Sequence, residues 1–508
     1  MQSLQSYLID RWQGGSGPGT KLHNPVSGEV LATASSYGLD LAAALAHGRS
    51  VGGPALRALT FAQRGALLDG LAKAIHGVRD ELLEISIANT GVTRSDAKFD
   101  IDGGTATLSH YATLAKILGE RRFLWDGELE QLGRSPRFAG RHVRLPLHGV
   151  AIHINAFNFP IWGLAEKLAT AFLAGMPVLS KPATSTAMPT VRAVQAMVDS
   201  GLLPKGSFSL LTGSAGSLLE HVGPQDVIAF TGSADTGLVI RTHPKVAAQS
   251  VRVNIEADSL NAVVVAADVK EGSDTFDLFL RELVREMTQK SGQKCTATRR
   301  VFLPSEVVDA VIAALADRLL PEYSARDPRE EHVRMGALAA PSQAGDVLSK
   351  AQALASLADV VVGQLPNAAN TLFSPVVLKA RDVRAAALHE VEVFGPLVTL
   401  FPVHSDAEAF ELVALGGGTL VTTVYTDELS TSVNALEAIG PYTGRLLFGS
   451  GRIAEFSTGP GLVLPQMCHG GPGRAGGGLE LGGVRGLGLY LQTVAVQAAR
   501  PILEKLSG

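Results

Sequence analysis

The chain has 508 residues, 46% apolar and 18% charged, with a formal net charge of −4. This length holds two or three domains with sizeable cores, and the composition excludes a disordered chain. No basic excess points to nucleic acid, and two cysteines, Cys295 and Cys468, exclude a disulfide framework.

The N-terminal MQSLQSYLIDRWQ has no basic stretch followed by an apolar run, so no signal peptide is expected. Phe61 to Gly91 reads as helices, with Leu67, Leu68, Leu71 and Ile75 on one apolar stripe. Arg121 to Val150 is charged, Gly-punctuated and alternating (HVRLPLHGV), which predicts a hairpin projecting from the body. The longest apolar region, Val150 to Leu179, is broken by His153, Asn155, Asn158, Pro160, Glu166 and Lys167, which argues against a membrane span. A reducing cytoplasm with both thiols free is the expected setting.

From Val150 onward strands and helices alternate. GVAIHI, PVLSK, SFSLL, DVIAF and VRVNIE predict strands. Between them lie a helix opened in its first turn by Pro160 and helices at Met188–Asp199, Ala215–His221 and Thr236–His243. This order implies a parallel sheet covered on both faces, with ligands at the carboxyl ends of its strands. Asn155, Lys181, Gly213, Ser233 and Glu256 all fall just after those strands. A second α/β pattern begins near Asn261: strand AVVVAA, helix Ser273–Gln289, then strands RRVFL, DVVVG, LVTLF, TLVTTVY and RLLFG. The C-terminal LYLQTVAVQAARPI predicts an edge strand offered to another subunit.

Cys295, in SGQKCTATRR, follows a predicted helix, and Lys294, Arg299 and Arg300 nearby favour the thiolate, which is the reactive form. The alternative is a buried structural thiol, the commoner fate of a lone cysteine. Glu256 ends the strand VRVNIE. Partial burial there raises a carboxyl pKa and suits a general base; the alternative is a solvated loop acid. Thr231-Gly232-Ser233 is a strand-to-helix turn whose N–H groups suit a phosphate. No GxGxxG is present, and Gly213 to Gly216 is a weak substitute. His153 reads as a core histidine. Cys468 and His469 together are too few ligands for zinc, and no metal is expected.

Taken together, these residues resemble the aldehyde dehydrogenase superfamily over essentially the whole chain. Asn155-Ala-Phe-Asn158-Phe-Pro160 resembles P-W-N-F-P, and Lys181-Pro-Ala-Thr184 resembles K-P-S-E. Phe230-Thr-Gly-Ser233 matches F-T-G-S, Gly292-Gln-Lys-Cys295 resembles G-Q-x-C, and Glu392-Val-Phe394-Gly-Pro396 matches E-x-F-G-P. One such motif is weak, but five in order are specific. The resemblance implies an α/β aldehyde dehydrogenase fold. Its parts are a Rossmann-like open parallel-sheet cofactor domain (1–122 and 149–258), an α/β catalytic domain (259–450) and a small β oligomerisation domain (123–148 and 485–508). Loops 451–484 connect them near the active site. It implies a homodimer, with Cys295 as nucleophile, Glu256 as the base that activates water, and Asn158 in the oxyanion hole. Lys167, nine residues after Asn158, and Glu480, in a segment matching R-E-L-G, are the implied proton relay. Read locally, they are a helix-face lysine and a loop acid. The implied cofactor residues are Ile154, Asn155, Lys181, Thr184, Gly213, Ser214, Gly232, Ser233, Ala257, Glu392 and Phe394.

Two departures sharpen the expectation. The family's E-L-G-G-K is replaced by Glu256-Ala-Asp258-Ser-Leu260. With Gly292-Gln-Lys-Cys-Thr-Ala, this is similar to the branch that works in aerobic CoA-dependent aromatic degradation. That similarity implies a CoA-linked semialdehyde as substrate, 3,4-dehydroadipyl-CoA semialdehyde of benzoate breakdown. Thr184 stands where the family often has Glu, which removes a carboxylate that would repel a 2′-phosphate. NADP is therefore expected over NAD. The competing readings are a general aliphatic or other semialdehyde dehydrogenase, a CoA-acylating relative, and a catalytically idle structural or binding homologue. Glu256 argues against the CoA-acylating relative, and the retention of Cys295, Glu256 and Asn158 argues against the idle one.

Overall fold

Runs rich in Val, Ile and Leu build two seven-stranded sheets in the computed structural model, which describes residues 2–320 and 322–507. The first sheet runs Arg252–Glu256, Val227–Thr231, Ala151–Ile154, Val178–Lys181 and Phe208–Leu210, all parallel, as the alternation predicts. Ser6–Leu8 and Arg11–Gln13 then extend it antiparallel. The register sets Thr231 beside Glu256 and Ile154 beside Lys181, so these residues end their strands together at one edge.

The second sheet orders Ala358–Val362, Val376–Ala380, Leu397–Val403, Arg300–Pro304, Ala262–Val265, Thr419–Tyr425 and Thr443–Gly449. All its pairs are parallel except the first. The predicted hairpin is Leu124–Gln131 against Phe138–Pro146. The C-terminal strand, Leu491–Ala499, pairs along the hairpin of its own chain and is the edge strand expected of it. It stops at Ala499, and the expected ARPI extension is instead the start of a helix, Arg500–Ser507.

Helices bury the sheets. Phe61–Gly77 starts with a capping box, in which Thr60 Oγ1 accepts from Gln63 N and Gln63 Oε1 accepts from Thr60 N. It packs Leu68, Leu71 and Ile75 inward with no exposure, against the long helix Arg94–Leu118. The helix Trp162–Ala174 is buried on nearly every side. It begins two residues after Pro160, so the proline sits in the preceding turn and not in the first helical turn as expected. The predicted helix Ala215–His221 is only a 3₁₀ turn, Leu218–His221. Gly213 (φ 88) and Gly216 (φ 52) hold the chain in left-handed geometry before it. Among the described residues, no helix is long and apolar enough to cross a membrane.

Candidate active site

The helix Asp274–Thr288 ends in an unusual turn. Lys290 (φ 53), Ser291 (φ 54) and Gly292 (φ 68) are consecutive left-handed residues. Two of them carry side chains, and such geometry persists only where the surroundings enforce it. Here Ser291 Oγ donates to the carbonyls of Gly336 (2.9 Å) and Ala337 (3.3 Å). The Lys290 ammonium lies 4.2 Å from the centroid of the Phe159 ring. Burial lowers its pKa, while Asp100 and Asp96 favour its charge. At Gly292 a Cβ would come within 2.4 Å of the Gly395 carbonyl oxygen. Gly292→Ala is therefore expected to cost about 2–4 kcal/mol of stability from strain and overlap together. A melting temperature equal to the parent's would refute that packing.

This turn delivers Cys295, partly buried, to the end of the strand that carries Glu256. Cys295 Sγ is 3.8 Å from His469 Nε2, and the same nitrogen is 3.1 Å from Glu256 Oε2. Ligand-type atoms of all three residues lie within 4.8 Å of one another. His469 comes from the short strand Cys468–Gly470, which sets it opposite Glu480 of Leu479–Leu481. The sequence offered His469 only as a would-be metal ligand beside Cys468, and not as a partner of Cys295 and Glu256. No local signal marks it, because Cys295 and Glu256 are far from it in the chain.

Behind this trio, Lys167 Nζ is 3.1 Å from both Glu166 Oε1 and Glu480 Oε2. Asn254 Nδ2 donates to Glu480 Oε1 at 3.0 Å. The structure thus brings Lys167 and Glu480 together. It adds Glu166, whose signal was an acid inside an apolar helical stripe. Burial alone would lower the Lys167 pKa, but Glu480, Glu166 and Glu256 hold it well above the usual lysine range. Burial also acts to raise Glu256, yet His469 and Lys167 outweigh it and hold the carboxyl down to about 2. The expected raised pKa at Glu256 is thereby corrected: its burial is accompanied by cations.

Glu166 is the opposite case, since burial outweighs Lys167 and pushes it up to about 7. Its folded pKa lies above its ordinary value of 4.5. Folding therefore takes up a proton between these values, and this group's contribution to stability declines as pH rises through that window. Glu166→Gln should raise the melting temperature more at pH 8 than at pH 5. An equal shift at both would exclude the effect.

Of the basic neighbours expected to support the Cys295 thiolate, Arg299 does attract it, whereas Lys294 and Arg300 are committed to other partners. Lys294 Nζ pairs with Glu286 at 2.8 Å and donates to Gln289. Arg299 donates to the carbonyls of Gly292 and Gly395 and pairs with Glu392. Arg300 donates to the carbonyls of Leu260, Leu412 and Val413. Burial and Glu256 push the thiol well above its usual value, and Arg445 is the cation that opposes them.

Two cavities meet at Cys295. One is a narrow chamber lined by Phe99, Trp162, Glu166, Lys167, Cys295 and His469, with about 40 Å³ open to water, enough for a water molecule. The other is a cleft of about 560 Å³ at the carboxyl ends of the first sheet's strands. Asn155, Asn158, Glu256 and Cys295 line both. Asn158 is fixed by one N–H, which donates to the Gln293 carbonyl at 3.0 Å.

Of the expected cofactor residues, Asn155, Gly232, Ser233, Ala257, Glu392 and Phe394 line the cleft, whereas Ile154, Lys181, Thr184, Gly213 and Ser214 do not. Thr184 Oγ1 donates to the Gly213 carbonyl at 3.0 Å, and Ser214 Oγ accepts from Gly216 N. Lys181 Nζ donates to the Pro182 carbonyl, and burial lowers its pKa to about 8. The helix start after Gly232 differs from the simple phosphate cradle expected of it. Ser233 Oγ accepts from Thr236 N, and Asp258 Oδ1 accepts from Ala234 N at 3.0 Å. The cleft nonetheless fits a nicotinamide nucleotide. Glu392 is a fixed acceptor, held by Ser259 N and Arg299. Phe394 is a fixed apolar face, packed edge-on against Phe157. Asn155 Oδ1 is buried with no protein partner among the described residues.

Comparison with known proteins agrees with this geometry. Residues 12–495 match the sequence model of the aldehyde dehydrogenase family. The chain is 41% identical over 478 residues to 3,4-dehydroadipyl-CoA semialdehyde dehydrogenase of Aromatoleum evansii, covering 92% of this chain and 93% of that one. It is 26% identical to α-ketoglutaric semialdehyde dehydrogenase of Bacillus subtilis, over 76% of this chain and 77% of that one. In fold it resembles an NAD-dependent aldehyde dehydrogenase of Sinorhizobium meliloti (TM-score 0.85, 22% identity, covering 98% and 95% of the two chains). It likewise resembles a betaine aldehyde dehydrogenase point mutant of Staphylococcus aureus in complex with NAD⁺ (TM-score 0.84, 22% identity, 98% of each chain). The chain belongs to the aldehyde dehydrogenase family, oxidoreductases that act on aldehydes.

Proposed function

We propose that this chain oxidises a CoA-linked semialdehyde to the carboxylic acid, with NADP preferred and 3,4-dehydroadipyl-CoA semialdehyde of benzoate breakdown as the substrate. The observation that carries the reading is the position of Cys295, Glu256 and Asn158 on the wall shared by chamber and cleft. The identity to the Aromatoleum evansii enzyme supports the substrate.

The Cys295 thiolate attacks the aldehyde carbon and forms a hemithioacetal. The Asn158 amide and the Cys295 N–H face the developing oxyanion, a donor contribution typically of ~3–4 kcal/mol. Asn155, Gly232, Ser233, Glu392 and Phe394 would hold a nicotinamide nucleotide, which would supply the hydride acceptor. The acyl group then remains as a thioester on Cys295. Glu256 orients the water that hydrolyses it, and Lys167 and Glu480 carry the released proton away. A carboxylate at position 256 favours water over free CoA as the acyl acceptor.

The NADP preference rests on position 184. With the Thr184 hydroxyl committed to the Gly213 carbonyl, its contribution is the absence of a carboxylate, with the Lys181 ammonium nearby in the chain. The test is reduced-cofactor formation with the CoA-linked semialdehyde, the free semialdehyde and a simple aliphatic aldehyde, each with NADP and NAD. The CoA-linked aldehyde with NADP should give the highest kcat/KM, and Thr184→Glu should shift the cofactor ratio towards NAD by roughly tenfold or more. Equal efficiency on the simple aldehyde would exclude the substrate, and equal efficiency with both cofactors would exclude the preference.

A further inference from the structure

We infer that an arginine-lined basin beside the chamber holds the phosphorylated nucleotide end of the CoA carried by the substrate. The inference rests on the reading of the substrate as a CoA-linked semialdehyde and adds where the CoA lies.

The basin is an open hollow of about 660 Å³ between the start of the helix Arg94–Leu118, the helix Asp274–Thr288 and the stretch from Asp317 to Arg334. Its walls continue into those of the chamber. Ser95 lines the basin, and Phe99, one turn further along the same helix, lines the chamber. Arg281 and Arg285 line the basin, and their Nη2 atoms donate to the carbonyls of Ala454 and Thr458 at 2.8 and 2.9 Å. The loop held in this way runs on to Gly461, which lines the chamber. Gln289, also in the basin wall, accepts from Lys294 Nζ, one residue before Cys295.

The chemistry of the basin suits phosphate. Four arginines, Arg281, Arg285, Arg318 and Arg334, line it in a chain whose net charge is −4. A guanidinium has five N–H donors. In Arg281, Arg285 and Arg318 the partners all sit on Nη2, with Asp277 at 3.4 Å serving Arg318. Their Nε and Nη1 atoms have no protein partner among the described residues, and this edge is the one that grips a phosphate with two parallel bonds. The acids of the wall are fewer and mostly engaged. Asp96 is buried and accepts from the Thr93 hydroxyl, Glu322 pairs with Arg334 at 2.6 Å, and Asp317 stays in water. The helix Arg94–Leu118 adds its positive N-terminal end and the exposed Ser95 hydroxyl.

A CoA thioester carries a diphosphate and a 3′-phosphate on adenosine, joined to the acyl group by a long flexible pantetheine arm. The chamber, with about 40 Å³ open, cannot admit that nucleotide. The cleft at the sheet edge is the place of the nicotinamide nucleotide. The basin lies outside the chamber, shares its rim and carries the complementary charge.

The test compares the CoA-linked with the free semialdehyde at saturating cofactor. Arg281→Glu and Arg318→Glu should each lower the ratio of kcat/KM for the CoA-linked over the free aldehyde by roughly fivefold or more, chiefly through KM. Arg318 is the cleaner position, since its partner is the exposed Asp277 and not the loop. In the parent, adenosine 3′,5′-bisphosphate should inhibit turnover of the CoA-linked aldehyde competitively and spare that of the free aldehyde, and added salt should weaken the inhibition. An unchanged ratio in both variants, equal losses on both aldehydes included, would overturn the basin and leave the substrate reading standing. So would a bisphosphate that inhibits neither aldehyde or both alike, a result that needs no variant. A parent that turns over the free aldehyde as efficiently as the CoA-linked one would remove the substrate reading, and the basin with it.

Discussion

Cys295→Ser is expected to lower turnover by at least ~10³-fold, about 4 kcal/mol of barrier, while cofactor affinity stays within about twofold. The substitution keeps the size of the side chain and changes its acidity. A serine hydroxyl beside the Glu256 carboxylate, in the same buried position, yields almost no alkoxide, and the charge of Glu256 already opposes ionisation of the thiol. Contacts in the cleft at Glu392 and Phe394 are untouched, so binding should persist. The measurement pairs steady-state formation of reduced cofactor with fluorescence titration of its binding. Turnover within tenfold of the parent would contradict the nucleophile role.

Lys167→Met should be the most destabilising single change in the site, at about 3–5 kcal/mol, the range for removing one partner of a buried ion pair. The ammonium is 2% exposed and within 3.1 Å of two carboxylates. Methionine fills much the same volume and leaves those carboxylates facing each other. Its folded pKa is raised, so in the parent its stabilisation is fully present below the ordinary lysine value and is lost only as pH rises through the higher folded value. Titration of Lys167 itself therefore adds no pH dependence between pH 5 and 9. In the variant the deficit should shrink towards pH 5, where Glu166 is protonated. Melting temperatures at pH 5 and pH 8 check both statements. A variant as stable as the parent at pH 8 would show that Glu166 and Glu480 do not depend on this cation. Unchanged turnover and pH profile would separately remove Lys167 from the proton relay.

Except for Val376–Ala380, the strands of the two large sheets that lie after Val150 were legible because apolar, often β-branched runs of three to seven residues alternate with helices. Gln2–Leu4, Ser6–Leu8, Cys468–Gly470 and Leu479–Leu481 were not. Each has three residues, too few for a periodicity, and each is stabilised by a distant partner strand. Cys295, Glu256 and Asn158 were recognisable from the motifs around them. His469 matters through neighbours far away in the chain, which local patterns do not encode, whereas Glu166 was visible as an acid inside an apolar helix. Lys294 and Arg300 misled for a related reason. Closeness in sequence says nothing about direction, and successive side chains in turns and strands point to different faces.

The close approach of Gly292 to Gly395 has an evolutionary consequence. Arg299 Nη1 donates to both of their carbonyls, at 3.0 and 2.9 Å, and its guanidinium also lies over Phe394. The loop that presents the thiol and the loop that faces the cleft are thus one mechanical piece, fastened across two segments distant in the chain. Substitutions at 292, 299 and 395 should be strongly epistatic, with double-mutant costs far from the sum of the singles. This fastening is therefore expected to tolerate change only by coordinated replacement at these positions.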